Sequence, residues 1–362
     1  DVVSLKKNII ITGSHGKTTT TSLVSKILTD QKLDPTIING GVINSFNSNA
    51  KLGKGDWAIL EADESDGSFL KLPINYSVVT NIDNEHLDYY KNFKNLENAF
   101  IQFIEKTPPI GKAILCIDNK NIRKIFNKIR NKNILTYGES KNANYQISNI
   151  RYNVDYSVFD ISYKDIKKRS KKICDIQLSL LGKHNVLNGA AAVAVCLNLG
   201  VDHKVIKKSL RKYSGVQRRM TKIFSKKQND FYDDYAHHPT EISSVLSGVK
   251  SVYKNKEIVC VFQPHRISRV KNLKYEFSKC FKMADTVLLC PIYSANEKIK
   301  LNFTYNSFAK LIIKNSKVRL IQLDDELQLK RFVKQYAFGE KIFIGMGAGS
   351  ISNWMKNLKN IF

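Results

Sequence analysis

Gly13-Ser14-His15-Gly16-Lys17-Thr18-Thr19, entered from the apolar run Ile9-Ile10-Ile11, has the residue types and the order that hold a polyphosphate. Small residues in such a turn let successive backbone N–H groups face an anion, and the helix that follows adds its positive N-terminal end. Lys17 then supplies a mobile cation for the outer phosphates, and the Thr18 hydroxyl is a ligand for Mg2+. An ordinary phosphate loop carries a further glycine where this chain has Ile11, so the loop is a shortened one. The same residues would also make a plain polar turn. The apolar strand before them and the helical spacing of Leu23, Ile27 and Leu28 after them favour the phosphate cradle.

Two more polar segments follow apolar runs. Glu61-Ala62-Asp63-Glu64-Ser65-Asp66 comes after 57–60, and Thr80-Asn81-Ile82-Asp83-Asn84-Glu85-His86 comes after 76–79. The carboxyl ends of strands are where open parallel sheets bind ligands. A carboxylate such as Glu61 there suits a nucleotide-bound Mg2+, the alternative being a solvated acidic loop. His86 offers a neutral ring nitrogen to a metal, although a lone histidine is more often structural. Asn185 and Asn188, three apart at a helix start, fit amides that read a purine edge or, equally, Asn185 capping that helix. Farther on, Asp233-Asp234-Tyr235-Ala236-His237-His238 and Gln263-Pro264-His265-Arg266-Ile267-Ser268-Arg269 also follow strand-like runs. Arg266 and Arg269 can each grip an oxyanion with paired N–H groups. Gly345-Met346-Gly347-Ala348-Gly349-Ser350 has Ser350 where a dinucleotide fingerprint needs its third glycine, so NAD is rejected as a cofactor.

The elements that must position these groups alternate. Strand-like runs at 9–11, 57–60, 76–80 and 113–116 interleave with helical spacing at 19–29, 96–105 and 121–128, the pattern of a mainly parallel sheet covered on both faces. Residues 145–180 change to strict alternation, which predicts antiparallel strands, and the alanine-rich stretch 186–199 predicts a helix stopped by Gly200. After a break at Tyr213-Ser214-Gly215 the βα pattern restarts, with strands expected at 231–232, 258–262, 286–290, 318–322 and 341–344. The expected fold is α/β: a central P-loop ATPase domain over 1–213 and a C-terminal Rossmann-like α/β domain over 214–362.

Composition narrows the class without choosing a function. A net charge of +26 favours polyanionic partners, among them nucleic acid, anionic lipid and phosphorylated small molecules. The densest basic run, 167–172, reads as a solvated hairpin rather than a nucleic-acid face. Six cysteines without a Cys-x-x-Cys pair, mostly inside apolar runs, predict reduced core residues and argue against a zinc site or a disulfide frame. No apolar run approaches the roughly 20 residues that span a bilayer, and no signal-type segment opens the chain, so a cytoplasmic protein is expected. The chain begins on Asp1 without Met, from which a missing upstream segment is expected.

Read in order, the motifs at 12–20, 61–66, 181–185, 234–241 and 262–266 resemble those of the Mur ligases over essentially the whole chain, and the loop 263–269 resembles the alanine-adding branch. The resemblance implies a three-domain enzyme of the bacterial cytoplasm, of which the central and C-terminal domains are expected here without the N-terminal one that holds a UDP group. It implies ATP with Mg2+, two ions for which Mn2+ can substitute, and the partners UDP-N-acetylmuramate and L-alanine, joined through an acyl phosphate. By the family pattern Gly13, Ser14, His15, Gly16, Lys17, Thr18, Thr19, Asn185, Asn188, Arg219 and Asp234 hold ATP, and Thr18, Glu61 and His86 hold metal. Ser65, Asn81, Tyr235, His237, His265, Arg266 and Arg269 receive substrate, with Lys17, Glu61, His86, His237 and Arg266 catalytic. A monomer or weak dimer and a hinge at 213–215 are expected. The alternatives are the tripeptide-adding ligase of cell-wall recycling and a P-loop NTPase working on nucleic acid. The second needs a basic face interleaved with aromatics, which the sequence lacks.

Overall fold

The computed structural model describes residues 2–298 and 300–362, and the chain forms two compact units, Asp1–Val216 and Gln217–Phe362. In the first, β1 (Lys7–Thr12) runs into α1 (Lys17–Asp30), followed by β2 (Thr36–Ile43), β3 (Ser48–Lys51), β4 (Trp57–Glu61) and β5 (Tyr76–Val79). Then come α2 (Leu87–Tyr90), α3 (Phe93–Glu105), β6 (Lys112–Cys116), α4 (Lys120–Phe126), β7 (Ile134–Gly138), β8 (Tyr145–Tyr152), β9 (Ser157–Lys164) and β10 (Ser170–Leu178). Helices α5 (Lys183–Asn198) and α6 (His203–Arg211) complete it.

These strands form one sheet in the order β10-β9-β8-β7-β6-β5-β1-β4-β2-β3. It is parallel from β8 to β2, with antiparallel pairs at both ends. Central position explains why β1 is an unbroken apolar run: Ile9, Ile10 and Ile11 are all fully buried because helices cover both faces. Helix α1 buries Leu23, Val24, Ile27 and Leu28 against the sheet, each such side chain contributing about 1.5–3 kcal/mol. Helix α5 is buried nearly all round, and its run of alanines lets it lie close against both α1 and the strands β6 to β9. Helix α3 is fixed at its start by Asn92, whose side chain accepts from Asn95 N, and presents Phe100 and Phe103 to the ring of Phe69.

The second unit contains β11 (Thr221–Lys226), β12 (Asn229–Asp234), α7 (Pro239–Val252), β13 (Glu257–Phe262), α8 (Ile267–Asn272), α9 (Lys274–Lys279) and β14 (Thr286–Leu289). It continues with α10 (Tyr305–Ser316), β15 (Arg319–Gln322), α11 (Glu326–Tyr336), β16 (Lys341–Met346) and α12 (Ile351–Asn357). The strand order is β11-β12-β16-β13-β14-β15, parallel except for the β11–β12 hairpin. Alternate residues of β13 feed two cores: Ile258, Cys260 and Phe262 join Leu246, Phe277 and Phe308, while Val259 and Val261 join Phe343, Leu329 and Met355 on the other face.

Several elements carry no signal of their own in the sequence. β2 contains Asn39-Gly40-Gly41, which reads as a turn, yet parallel pairing with β4 holds Thr36, Ile37 and Ile38 extended. The basic run 167–172 spans the turn between β9 and β10 and enters β10, exposed as expected of a hairpin. Five of the six cysteines are buried; Cys174 is the exception, on an exposed position of β10. All six are free.

Candidate active site

In the first unit, β1 lies between β4 and β5, all parallel, so three carboxyl ends deliver their polar segments to one edge of the sheet. The turn from β1 to α1 needs its glycines. Gly13 sits at φ 127° and Gly16 at φ 84°, and an added Cβ would meet Thr80 Oγ1 at 2.3 Å or Asn188 Oδ1 at 2.4 Å. The segment after β5 braces this turn. Ser14 N donates to Asn81 O at 3.1 Å, and His15 N donates to Asn81 Oδ1 at 2.9 Å. Asn81 Nδ2 and Thr80 Oγ1 both donate to the His15 carbonyl, at 2.8 and 2.6 Å. Asp83 N donates to Ser14 Oγ, and its carboxylate lies 3.0 Å from His15 Nε2.

Around this frame stand the charged groups. Lys17 Nζ donates to Gly13 O and to Glu64 Oε2, both at 2.8 Å. Burial pulls the Lys17 pKa down, but the charges of Glu64, Asp63 and Glu85 outweigh it and hold the ammonium above its ordinary value. Thr18 Oγ1 donates to Glu61 Oε1 at 2.9 Å, and Gly40 N from β2 donates to the other oxygen of that carboxylate. Glu64 is wholly buried, and its Oε1 has no hydrogen-bond partner among the described residues; it lies 3.6 Å from His86 Nε2. His86 takes a left-handed conformation, φ 58°, at the start of α2. Hydroxyl, carboxylates and one imidazole form a hard donor set that suits Mg2+ or Mn2+, and a buried carboxylate oxygen lacking a donor is a group that a cation would satisfy.

Against the sequence expectations, three placements differ. The carboxylates within 4 Å of His86 Nε2, among the described residues, are Glu64 and Glu85, not Glu61, which is turned toward Thr18. Asn81, expected to touch substrate, has its side-chain donor and acceptor both engaged on the His15 backbone. Asn185 does not cap α5: the cap is Gly182 at φ 91°, and Asn185 Nδ2 donates to Leu181 O while its Oδ1 accepts from Asn188 Nδ2 at 3.3 Å. Asn188 is the residue of the pair that reaches the phosphate turn, through its contact with Gly16. Ser65 is half-buried, its backbone N–H bonded to Asp63, and Thr19 is buried in the first turn of α1.

The second unit carries its own cluster at the ends of β12 and β13. Asp234 accepts from Met220 N and Ala236 N at 2.8 and 2.7 Å, and burial, opposed by the charge of Arg219, pushes its carboxyl up to about 6. The guanidinium groups of Arg218 and Arg219 lie 4.7 and 5.5 Å from the centre of the Tyr235 ring. Tyr235, His237, His265 and Tyr293 follow one another at ring separations of 5.1, 5.8 and 5.5 Å. Burial pulls both imidazoles down to about 4, aided at His265 by Arg269 and Arg266 and opposed at His237 by Glu241, so both are neutral near pH 7. Arg266 is itself left-handed, φ 66°, with its N–H bonded to Tyr293 O at 2.8 Å. Arg218 and Tyr293 were not picked out from the sequence; neither lies in a recognisable motif.

A shortened phosphate turn on a parallel sheet, followed by a second α/β unit with a cationic and aromatic cluster, defines an ATP-dependent ligase, and the chain belongs to the Mur ligase family. The Mur ligase middle domain matches residues 11–196, and the Mur ligase glutamate ligase domain matches residues 218–335. The chain is 55% identical over 361 residues to the UDP-N-acetylmuramate–L-alanine ligase of Pelagibacter ubique, covering 100% of this chain and 78% of that protein. It is 39% identical to the enzyme of the same name from Parvibaculum lavamentivorans, over 99% of this chain and 73% of that one. Among solved structures, the UDP-N-acetylmuramate–alanine ligase of Thermotoga maritima superposes with a TM-score of 0.78 at 25% identity, covering 98% of this chain and 75% of that chain. No helix among the described residues is long and apolar enough to cross a membrane.

Proposed function

We propose that the chain joins L-alanine to the lactyl carboxylate of UDP-N-acetylmuramate with ATP, a step that supplies peptidoglycan precursor in the bacterial cytoplasm. The observation that carries this is the convergence of Lys17, Thr18, Glu61 and Glu64 at two neighbouring strand ends, beside a glycine turn with room for no side chain. The 55% identity to a relative of that name supports the same reading.

In the reaction, a carboxylate oxygen of the acceptor attacks the γ-phosphorus of ATP, the bond to the β-phosphate oxygen breaks, and ADP leaves. The alanine amine then attacks the acyl carbon, phosphate departs with the acyl C–O electron pair, and the amine gives up a proton. Lys17 neutralises the outer phosphates, while the backbone N–H groups of Gly16, Lys17 and Thr18 orient them. Thr18 with Glu61, and His86 with Glu64, are the residues that would hold metal, whose bound charge would supply electrostatic stabilisation of the transferring group. Asn188, beside Gly16, and Asn185, bonded to it, are ATP contacts, with Arg219 and Asp234 as further ones. Neutral His237 and His265 can accept the amine proton, and Arg266 and Arg269 pair with the alanine carboxylate. Tyr235 joins them in receiving the amino acid, and Ser65 contacts the acceptor. We assign a monomer or weak dimer.

Phosphate release by the purified protein with UDP-N-acetylmuramate, Mg2+ and one amino acid at a time tests this. Release that depends on L-alanine is expected, with a smaller response to L-serine and glycine. Release with L-alanyl-D-glutamyl-diaminopimelate but not L-alanine would assign the chain to the recycling reaction instead.

A further inference from the structure

The proposed function needs Lys17 on phosphate oxygens, yet its ammonium is engaged at 2.8 Å with Glu64 Oε2. Glu64 is fully buried, and a phosphate that draws Lys17 away removes the cation from a carboxylate that has no water to replace it. The incoming group is itself an anion, so the two negative charges then oppose each other in a site of low polarity. Glu64 Oε1 meanwhile has no hydrogen-bond partner among the described residues and faces His86 Nε2 at 3.6 Å. One oxygen of Asp63, one of Glu64 and a ring nitrogen of His86 lie within 4.8 Å of one another, a spacing that one divalent ion can bridge.

We infer that Glu64 is an exchange residue: without nucleotide it retains Lys17, and when phosphate takes the lysine it accepts in its place a divalent cation shared with His86 and Asp63. This rests on the nucleotide reading above and adds a consequence to it. Nucleotide and the cation at this cluster each strengthen the binding of the other, because Lys17, on the second oxygen of the same carboxylate, neutralises it and repels a cation until a phosphate draws the lysine away. Glu64 thereby acts on Lys17 and the metal rather than on the reacting atoms, as a positioning residue.

Titration calorimetry with ADP, first in EDTA and then in Mg2+, reads the coupling. Wild-type protein should bind ADP about tenfold more weakly in EDTA than in Mg2+. Glu64→Gln keeps the side chain's shape and removes its charge; it should bind ADP in EDTA about tenfold more tightly than wild type and gain correspondingly less from Mg2+. Equal affinities of wild type and Glu64→Gln in EDTA overturn the inference. A second arm uses no nucleotide. Mn2+ titrated into Lys17→Met and followed by electron paramagnetic resonance should reveal a site that wild type lacks, and Lys17→Met/Glu64→Gln should lose it again. Absence of that site in Lys17→Met overturns the exchange even if the glutamine variant does not fold. ADP that binds wild type in neither buffer removes the nucleotide reading instead, and the Mn2+ arm then decides the exchange by itself.

Discussion

Lys17 and Gly16 sit one residue apart and carry different physical burdens. Lys17 is charge: Lys17→Ala removes the only side chain of the turn that can follow a phosphate as it moves, and kcat/KM for phosphate release should fall by about 10^3-fold or more. Retention of normal turnover would contradict its role. Gly16 is space: at φ 84°, with Asn188 Oδ1 2.4 Å from an added Cβ, Gly16→Ala strains the backbone and must displace either the turn or the Asn188 amide. It should weaken ADP binding and cost about 1–3 kcal/mol of stability, read by calorimetry and urea denaturation. Residues of this kind were legible in the sequence because the whole loop is contiguous. Glu64 was not. In sequence it is one acid among Asp63, Glu64 and Asp66, and what sets it apart, complete burial against a lysine 47 positions away, arises only when β1 and β4 pair.

At the scale of elements, the antiparallel strands β8 to β10 show how one side chain can fix two irregularities. Asp160 on β9 accepts from Asp175 N at 2.8 Å and Asn149 Nδ2 at 2.7 Å, and pairs with Lys172 at 2.9 Å. Asn149 and Asp175 are left-handed, φ 52° and 53°, at the points where β8 and β10 slip register. The three partners hold the Asp160 carboxyl below its ordinary value despite its burial. Asp160→Ala should destabilise the protein by about 0.5–1.5 kcal/mol in urea denaturation, by removing the acceptor shared by the two irregular strands, while ADP affinity stays unchanged. Loss of ADP binding with stability intact would contradict a purely structural role. Alternation announced these strands but not their bulges. The elements with no signal, β2, β3 and β11, are short or polar and exist through pairing with a neighbour, a tertiary effect that local pattern cannot express.

Considered as a whole molecule, the chain has opposing acid responses built into its second unit. His237 is neutral when folded down to about pH 4 but takes a proton near 6.5 when unfolded, so its contribution is complete above pH 6.5 and is lost as pH falls toward 4. Between pH 7 and 5 that loss is about 2 kcal/mol, and His265, more exposed, adds to it in the same direction. Asp234 works the other way: its folded carboxyl takes a proton at about 6 and its unfolded one near 4, so folding gains stability as pH falls through that range. Denaturation at pH 7 and pH 5 should therefore show a flatter acid response in His237→Asn and a steeper one in Asp234→Asn. Identical slopes in all three proteins would contradict these environments. The division into two α/β halves was readable from the restart of the βα pattern after residue 215; the buried histidines were not, because exposure depends on the packing of β12, β13 and their loops.

The central claim concerns where the triphosphate goes. A crystal structure with Mg2+ and a non-hydrolysable ATP analogue should place the β- and γ-phosphates on the backbone amides of Gly16, Lys17 and Thr18, with Lys17 Nζ moved from Glu64 to a phosphate oxygen. An analogue bound elsewhere, with that turn vacant and the Lys17–Glu64 pair intact, would contradict it.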